Sequence, residues 1–245
     1  MKAQTFAIGG IACLMLLAGC GEIYQPIVKD TVMIKKINQV MPEKKQEYPG
    51  TLSEETVKNL SVDAVKRFFH PHISSEDLSL EVNALDLEQV KRMLYRISGD
   101  TNTDPVAQNE AYLNAIPNGI YRVIMSNRDT PYIEYIVMVN AKDGDILEIN
   151  SYAGYESDPD KGGSQPGKHE LISIARQFLN QLSDVNPDDL EPREQPILGN
   201  QVYGSILFQN KETKNIQYVL TLHLSTREVV GFSKDIMSVF LAPVP

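Results

Sequence analysis

Apolar positions in this chain recur with two different periods. Between about Glu54 and Phe69, Val57, Leu60, Ala64, Val65 and Phe68 fall at i, i+3, i+7, i+8 and i+11, the face of a helix that Pro71 terminates. Asp86 as an N-cap, Gln89 three residues on, the stripe Leu87, Val90, Leu94 and Ile97, and Gly99 just past the end predict a second helix. A shorter one is expected around Val106 to Leu113. The period then changes to 2, and Ile120 to Ser126, Tyr132 to Asn140 and Asp145 to Tyr152 read as three strands whose short connections require an antiparallel meander. In the middle strand Ile133, Tyr135, Val137 and Val139 share one face and Tyr132, Glu134, Ile136 and Met138 the other, so both faces are expected to be covered.

Gly162, Gly163, Pro159 and Pro166 give Asp158 to Gly167 the composition of an interdomain linker. Beyond it the alternation repeats. Leu171, Ile174, Ala175, Phe178, Leu179 and Leu182 form the cleanest amphipathic stripe in the chain, followed by strand patterns at Gln201 to Gln209, Asn215 to Leu224 and Glu228 to Lys234. The two halves align in outline. Val65 to Phe69 matches Ala175 to Leu179, Glu76-Asp77-Leu78 matches Asp188-Asp189-Leu190, and Tyr121 to Ile124 matches Tyr203 to Ile206. The first copy carries roughly 30 extra residues, which include the Asp86-capped helix. The expected fold is therefore α+β: two related modules, residues 51–157 and 168–245, each a helix packed on an antiparallel three-stranded meander.

The N-terminus reads differently. Lys2 precedes an uncharged run from Phe6 to Ala18, too short for the roughly 20 residues of a spanning helix, and the run ends in Leu17-Ala18-Gly19-Cys20. This resembles the bacterial lipoprotein signal, whose lipobox is Leu, two small residues and Cys. The resemblance implies cleavage after residue 19, attachment of lipid to the Cys20 sulfur, and a protein anchored on the extracytoplasmic side of the cell membrane. Residues 20–50 read as a tether. Within it Val32, Met33, Ile34, Ile37, Val40 and Met41 recur near helical spacing behind Asp30 and stop at Pro42, so a short packed helix or a partner-binding segment is expected. The chain's 2 cysteines are Cys13 and Cys20, one removed with the signal and the other lipidated, which excludes disulfide, thiolate and cysteine-metal chemistry in the mature protein.

A second resemblance lies in Tyr135-Ile136-Val137-Met138-Val139-Asn140-Ala141-Lys142-Asp143-Gly144-Asp145-Ile146-Leu147. It is similar to the PepSY family signature of an apolar strand, Asp-Ala, a glycine turn and another apolar strand, with Asn140 in place of the usual Asp. The second copy departs further, because Leu224-Ser225-Thr226-Arg227-Glu228 has no glycine. The family resemblance implies a small α+β extracytoplasmic module that binds or restrains partners rather than catalysing. Read physically, Gly144 supplies positive φ between two buried strands.

Composition narrows the function. With 42% hydrophobic and 22% charged residues the chain suits a globular protein, and 23 Lys+Arg against 32 Asp+Glu (net −9) leave no cationic footprint for nucleic acid. His70-Pro71-His72 offers two imidazoles without a third ligand at suitable spacing, and His223, between Leu222 and Leu224, reads as a structural histidine. Asp158-Pro159-Asp160-Lys161-Gly162-Gly163 starts like a calcium loop but ends on His169 where a bidentate Glu belongs. Glu54-Glu55, Glu76-Asp77 and Asp188-Asp189 sit at expected helix starts or turns, where carboxylates favour the helix dipole. Tyr112, Tyr121, Tyr132, Tyr135, Tyr152 and Tyr155 cluster about the first meander, as core packing or as a recognition surface. No Gly-x-Ser-x-Gly, His-Glu-x-x-His, Ser-x-x-Lys or Gly-x-Gly-x-x-Gly occurs. The expectation is a non-enzymatic binding or regulatory module for an envelope protein or cell-wall component, without cofactor or metal. A carboxylate-dependent envelope hydrolase and a structural assembly factor are the alternatives.

Overall fold

The computed structural model describes residues 50–99, 104–128, 133–153, 166–182, 185–193, 198–199 and 202–241. The signal, Cys20, the tether with its Val32 to Met41 helical pattern, Tyr132, Tyr155 and the Asp158 to Gly163 stretch lie outside the described residues.

Helix α1 (Glu54–Phe68) starts where the Ser53 hydroxyl accepts the Thr56 amide. Glu54 and Glu55 in its first turn and Lys66 and Arg67 in its last complement the helix dipole. Next, Ser74 caps a short 3-10 turn (Ser75–Asp77) that leads into β1 (Leu78–Leu85). Between β1 and β2 (Ile120–Asn127) lie α2 (Leu87–Ser98), α3 (Pro105–Gln108) and α4 (Glu110–Ala115). The capping box at α2 is complete, with the Asp86 carboxylate accepting the Gln89 amide and the Gln89 side chain accepting the Asp86 amide. β3 (Ile133–Asn140) and β4 (Ile146–Ala153) finish the meander. The second half follows the same order: α5 (Lys168–Leu179), a 3-10 turn (Pro187–Asp189), β5 (Leu190–Pro192), the two-residue β6 (Leu198–Gly199), then β7 (Tyr203–Asn210), β8 (Ile216–His223), β9 (Glu228–Lys234) and α6 (Ile236–Leu241).

The expected pair of modules is overturned. The strands form one continuous antiparallel nine-stranded sheet in the order β1-β2-β3-β4-β9-β8-β7-β5, with β6 paired to β7. Each half contributes an additional edge strand, so neither is a three-stranded meander. Leu78, Leu80 and Val82 in β1 face the core while Ser79, Glu81 and Asn83 are exposed. The final strands of the two meanders do not end as free edges. β4 and β9 pair through Glu148–Ser233, Ile149–Phe232 and Asn150–Gly231, satisfying backbone groups that two separate sheets would leave unpaired.

One sheet face carries the larger core. There α1 and α5 lay Val57, Val65, Leu171, Ala175 and Leu179 on Val123, Val137, Ile149, Phe208 and Leu220. Phe68 and Phe178, matched by the internal alignment, meet with ring centroids 5.8 Å apart, and both contact Phe232. Among the described residues the opposite face is covered at one end. Val90 and Leu94 of α2, Leu113 of α4, and Ile236 and Met237 of α6 pack on Ile120, Met138 and Leu147. The extra segment of the first half is thus the cover of the second face, and Met138 is buried there as its alternation requires. Among the described residues no helix is long and apolar enough to cross a membrane.

The two turn motifs show what glycine does here. Gly144 has φ +81, a left-handed conformation that favours glycine, and a Cβ there would lie 2.6 Å from Leu60 Cδ1, which would have to move aside. In the β8–β9 turn, Arg227 adopts φ 60 without being glycine. That turn is held from within: His223 Nδ1 accepts the Thr226 amide, and the Arg227 amide bonds the His223 carbonyl.

Candidate functional site

A trough crosses the open part of the second sheet face. Its floor is a row of small or flat side chains contributed by four neighbouring strands: Ser205 of β7 opposite Thr221 of β8, Thr221 opposite Gly231 of β9, and Gly231 opposite Asn150 of β4. Gly231 gives the floor its depth, because a Cβ there would stand 2.2 Å from Asn150 Oδ1 and 3.0 Å from the Ile149 carbonyl. Tyr152 and Tyr203 wall the trough on one flank and Leu241, at the end of α6, on another, enclosing about 360 Å³. Tyr152 is 53% exposed, so its ring is available to a ligand in the trough. The Tyr203 ring is set edge-on against His223, with centroids 5.4 Å apart.

Beside the floor, Glu148 is sealed into the sheet at 7% exposure. Asn150 Nδ2 donates to its Oε1, while Oε2 and the neighbouring Ser233 hydroxyl have no hydrogen-bond partner among the described residues. Burial pushes the Glu148 carboxyl up to about 7, against the opposing pull of the Ser233 hydroxyl close by, the Asn150 amide and the Arg122 charge. Its free oxygen is closed off from solvent. Burial also raises the Tyr152 and Tyr203 phenols, and the negative charges of Glu148 and Glu134 raise Tyr152 further. Both phenols are therefore neutral hydrogen-bonding groups at physiological pH.

The residues singled out in the sequence are dispersed. His70 and His72 are exposed beyond the end of α1, and the described residues contain no group of His, Cys, Asp and Glu side chains placed to hold a metal ion. The acidic pairs occupy the first turn of α1 and the two 3-10 turns. His223 is 5% exposed, and burial lowers its pKa while Glu228 opposes the shift. Its neutral ring serves the β8–β9 turn as an acceptor. Of the tyrosines, Tyr121 and Tyr135 are core residues, Tyr121 bonding the Leu52 carbonyl, and Tyr112 reaches across to the Ile216 carbonyl. Among the described members of that group, Tyr152 is the one that enters the trough. Asn150, Tyr203, Ser205, Thr221 and Gly231 were not anticipated as a site, although a glycine in the middle of the Val-Val-Gly-Phe-Ser pattern of β9 marks a close approach.

A second cavity of about 530 Å³ opens on the other face where α1 and α5 end, lined by Phe68, Phe178, His70, Arg227 and Glu228 among others. Its aromatic rings pack on one another and Arg227 is paired with Glu170 at 3.1 Å.

No family model matches the chain, and no curated protein sequence matches it. Among solved structures it is similar to the Bacillus megaterium YpeB C-terminal domain, with a TM-score of 0.44 and 14% sequence identity over 76% of this chain and 65% of that one. The chain thus spans slightly less than two thirds of the length of that structure.

Proposed function

We propose that this chain is an extracytoplasmic lipoprotein, held at the cell membrane by lipid on Cys20, whose folded part is a PepSY-like, non-enzymatic binding or regulatory module for an envelope component. The anchoring rests on Leu17-Ala18-Gly19-Cys20. Two acyl chains hold a protein persistently where one gives only marginal binding. The binding role rests above all on the trough, whose lining of Tyr, Ser, Thr, Asn and aliphatic side chains is of the kind that recognises rather than transforms. The one strongly perturbed carboxyl next to it, Glu148, is shut inside the sheet, where it reaches no substrate. The PepSY-like part of the reading rests on the Asn140-Ala141 and Gly144 motif and on the left-handed turn that Gly144 forms.

Two measurements test this. Cys20→Ser is expected to release or misprocess the protein on fractionation; a mutant that stays membrane-bound and normally cut refutes the anchoring. Crosslinking in intact cells is expected to capture an envelope component, with capture weakened by Tyr152→Ala. Equal capture by this variant refutes the trough as the contact.

A further inference from the structure

The geometry points to the ligand class of the trough: a neutral sugar ring, as in a glycan chain of the cell envelope. The inference deepens the binding reading above and rests on it.

Three observations carry it. First, among the described residues the lining holds no carboxylate, ammonium, guanidinium or imidazole, in a chain of which 22% is charged. A site for an anion or a cation would supply the opposite charge, since desolvating an unpaired ionic ligand is costly. Second, the floor strands β7, β8, β9 and β4 are all interior to the sheet. At the floor positions Asn150, Gly231, Thr221 and Ser205 the backbone is laddered on both sides, so a ligand lying on the floor meets side chains rather than an unpaired strand. Third, those side chains combine two chemistries. The Ser205 and Thr221 hydroxyls, 3.2 Å apart, and the Asn150 carboxamide can each donate and accept, which matches a ring of hydroxyls. Tyr152 and Tyr203 add aromatic surface with hydroxyl tips, suited to the apolar C–H faces of the same ring. The volume of about 360 Å³ falls within the range of small-molecule sites, ~300–1,000 Å³.

Titration of the full-length protein in detergent with cellotriose, maltotriose and triacetylchitotriose, followed by ligand-observed NMR and calorimetry, tests this. At least one trisaccharide is expected to bind with a Kd of about 1 mM or tighter. Tyr152→Ala and Thr221→Val should each weaken binding about tenfold or more, and Tyr95→Ala should leave it unchanged. Tyr95 is a matched control, being also 53% exposed but placed on α2 away from the trough. Circular dichroism of each variant separates lost binding from lost folding, and Tyr152, being exposed, can be truncated without opening the core. No binding by any trisaccharide at about 10 mM, or binding that survives both trough variants, overturns the inference. If crosslinked capture of an envelope protein falls with Tyr152→Ala while no sugar binds, the glycan assignment fails and the binding reading stands. If neither readout responds to the variant, both fail.

Discussion

Glu148→Gln isolates the cost of holding a carboxyl inside the sheet. In the folded chain burial carries this group from its ordinary 4.5 to about 7. At about 1.4 kcal/mol for each tenfold change, ionised Glu148 opposes folding by about 3 kcal/mol. The sign follows from proton counting. Below pH 4.5 the group is neutral in both states and costs little. Between 4.5 and about 7 the unfolded chain has released the proton and the folded chain still holds it, so stability falls as pH rises; above 7 the loss is complete. Glutamine stays neutral throughout, keeps an oxygen for the Asn150 amide and offers its own amide to the Ser233 hydroxyl. Urea unfolding at pH 4, 6 and 8 should therefore find the variant close to wild type at the lowest pH and up to about 3 kcal/mol more stable at the highest, a rise in Tm of roughly 6–12 °C. His223 works in the opposite sense, since its lowered pKa makes stability fall as pH drops below 6.5. The difference between variant and wild type, rather than either profile alone, carries the result. A difference that is constant with pH, or a variant less stable at pH 8, refutes the assignment of Glu148 as an uncompensated buried acid.

Two further substitutions test the packing. Phe178→Ala removes a ring that touches Phe68, Phe69 and Phe232 at 6% exposure, and should cost roughly 3–5 kcal/mol in denaturant unfolding, against less than about 1 for the exposed Tyr95→Ala. Asp145→Asn weakens a 2.8 Å ion pair with Lys234, whose side chain is 6% exposed, and should cost roughly 1–3 kcal/mol with little response to salt because one partner is buried.

Much of the local structure was legible because its causes are local. The Asp86 and Gln89 capping box, the Phe178 helix and the Glu228 to Lys234 strand need only near neighbours in sequence. Strand β1 shows the same alternation in Leu78, Leu80 and Val82, but the expected elements include no strand there or at Leu190–Pro192, so each half lacks its edge strand. The continuous sheet was not legible at all. Nothing in either meander states that β4 must pair with β9, since the pairing joins residues distant in the chain and is decided by what else is available to an open edge. The trough was hidden for the same reason: it is a row running across strands, assembled from positions 150, 231, 221 and 205, and sequence periodicity describes faces along strands.

The β4–β9 seam also bears on how the chain reaches this state. Every other long ladder joins neighbours in sequence through turns, or through the α2–α4 connection, whereas the seam brings Ile149 to Phe232 across the whole second half. Closing so long a loop is entropically slow, and only three residue pairs reward it. Until it closes, two apolar strands present unpaired edges at once, each able to capture the edge of another molecule. Refolding yield should accordingly depend on concentration most strongly before this junction forms, which makes the narrowest ladder in the sheet's interior the step at which productive folding and aggregation compete.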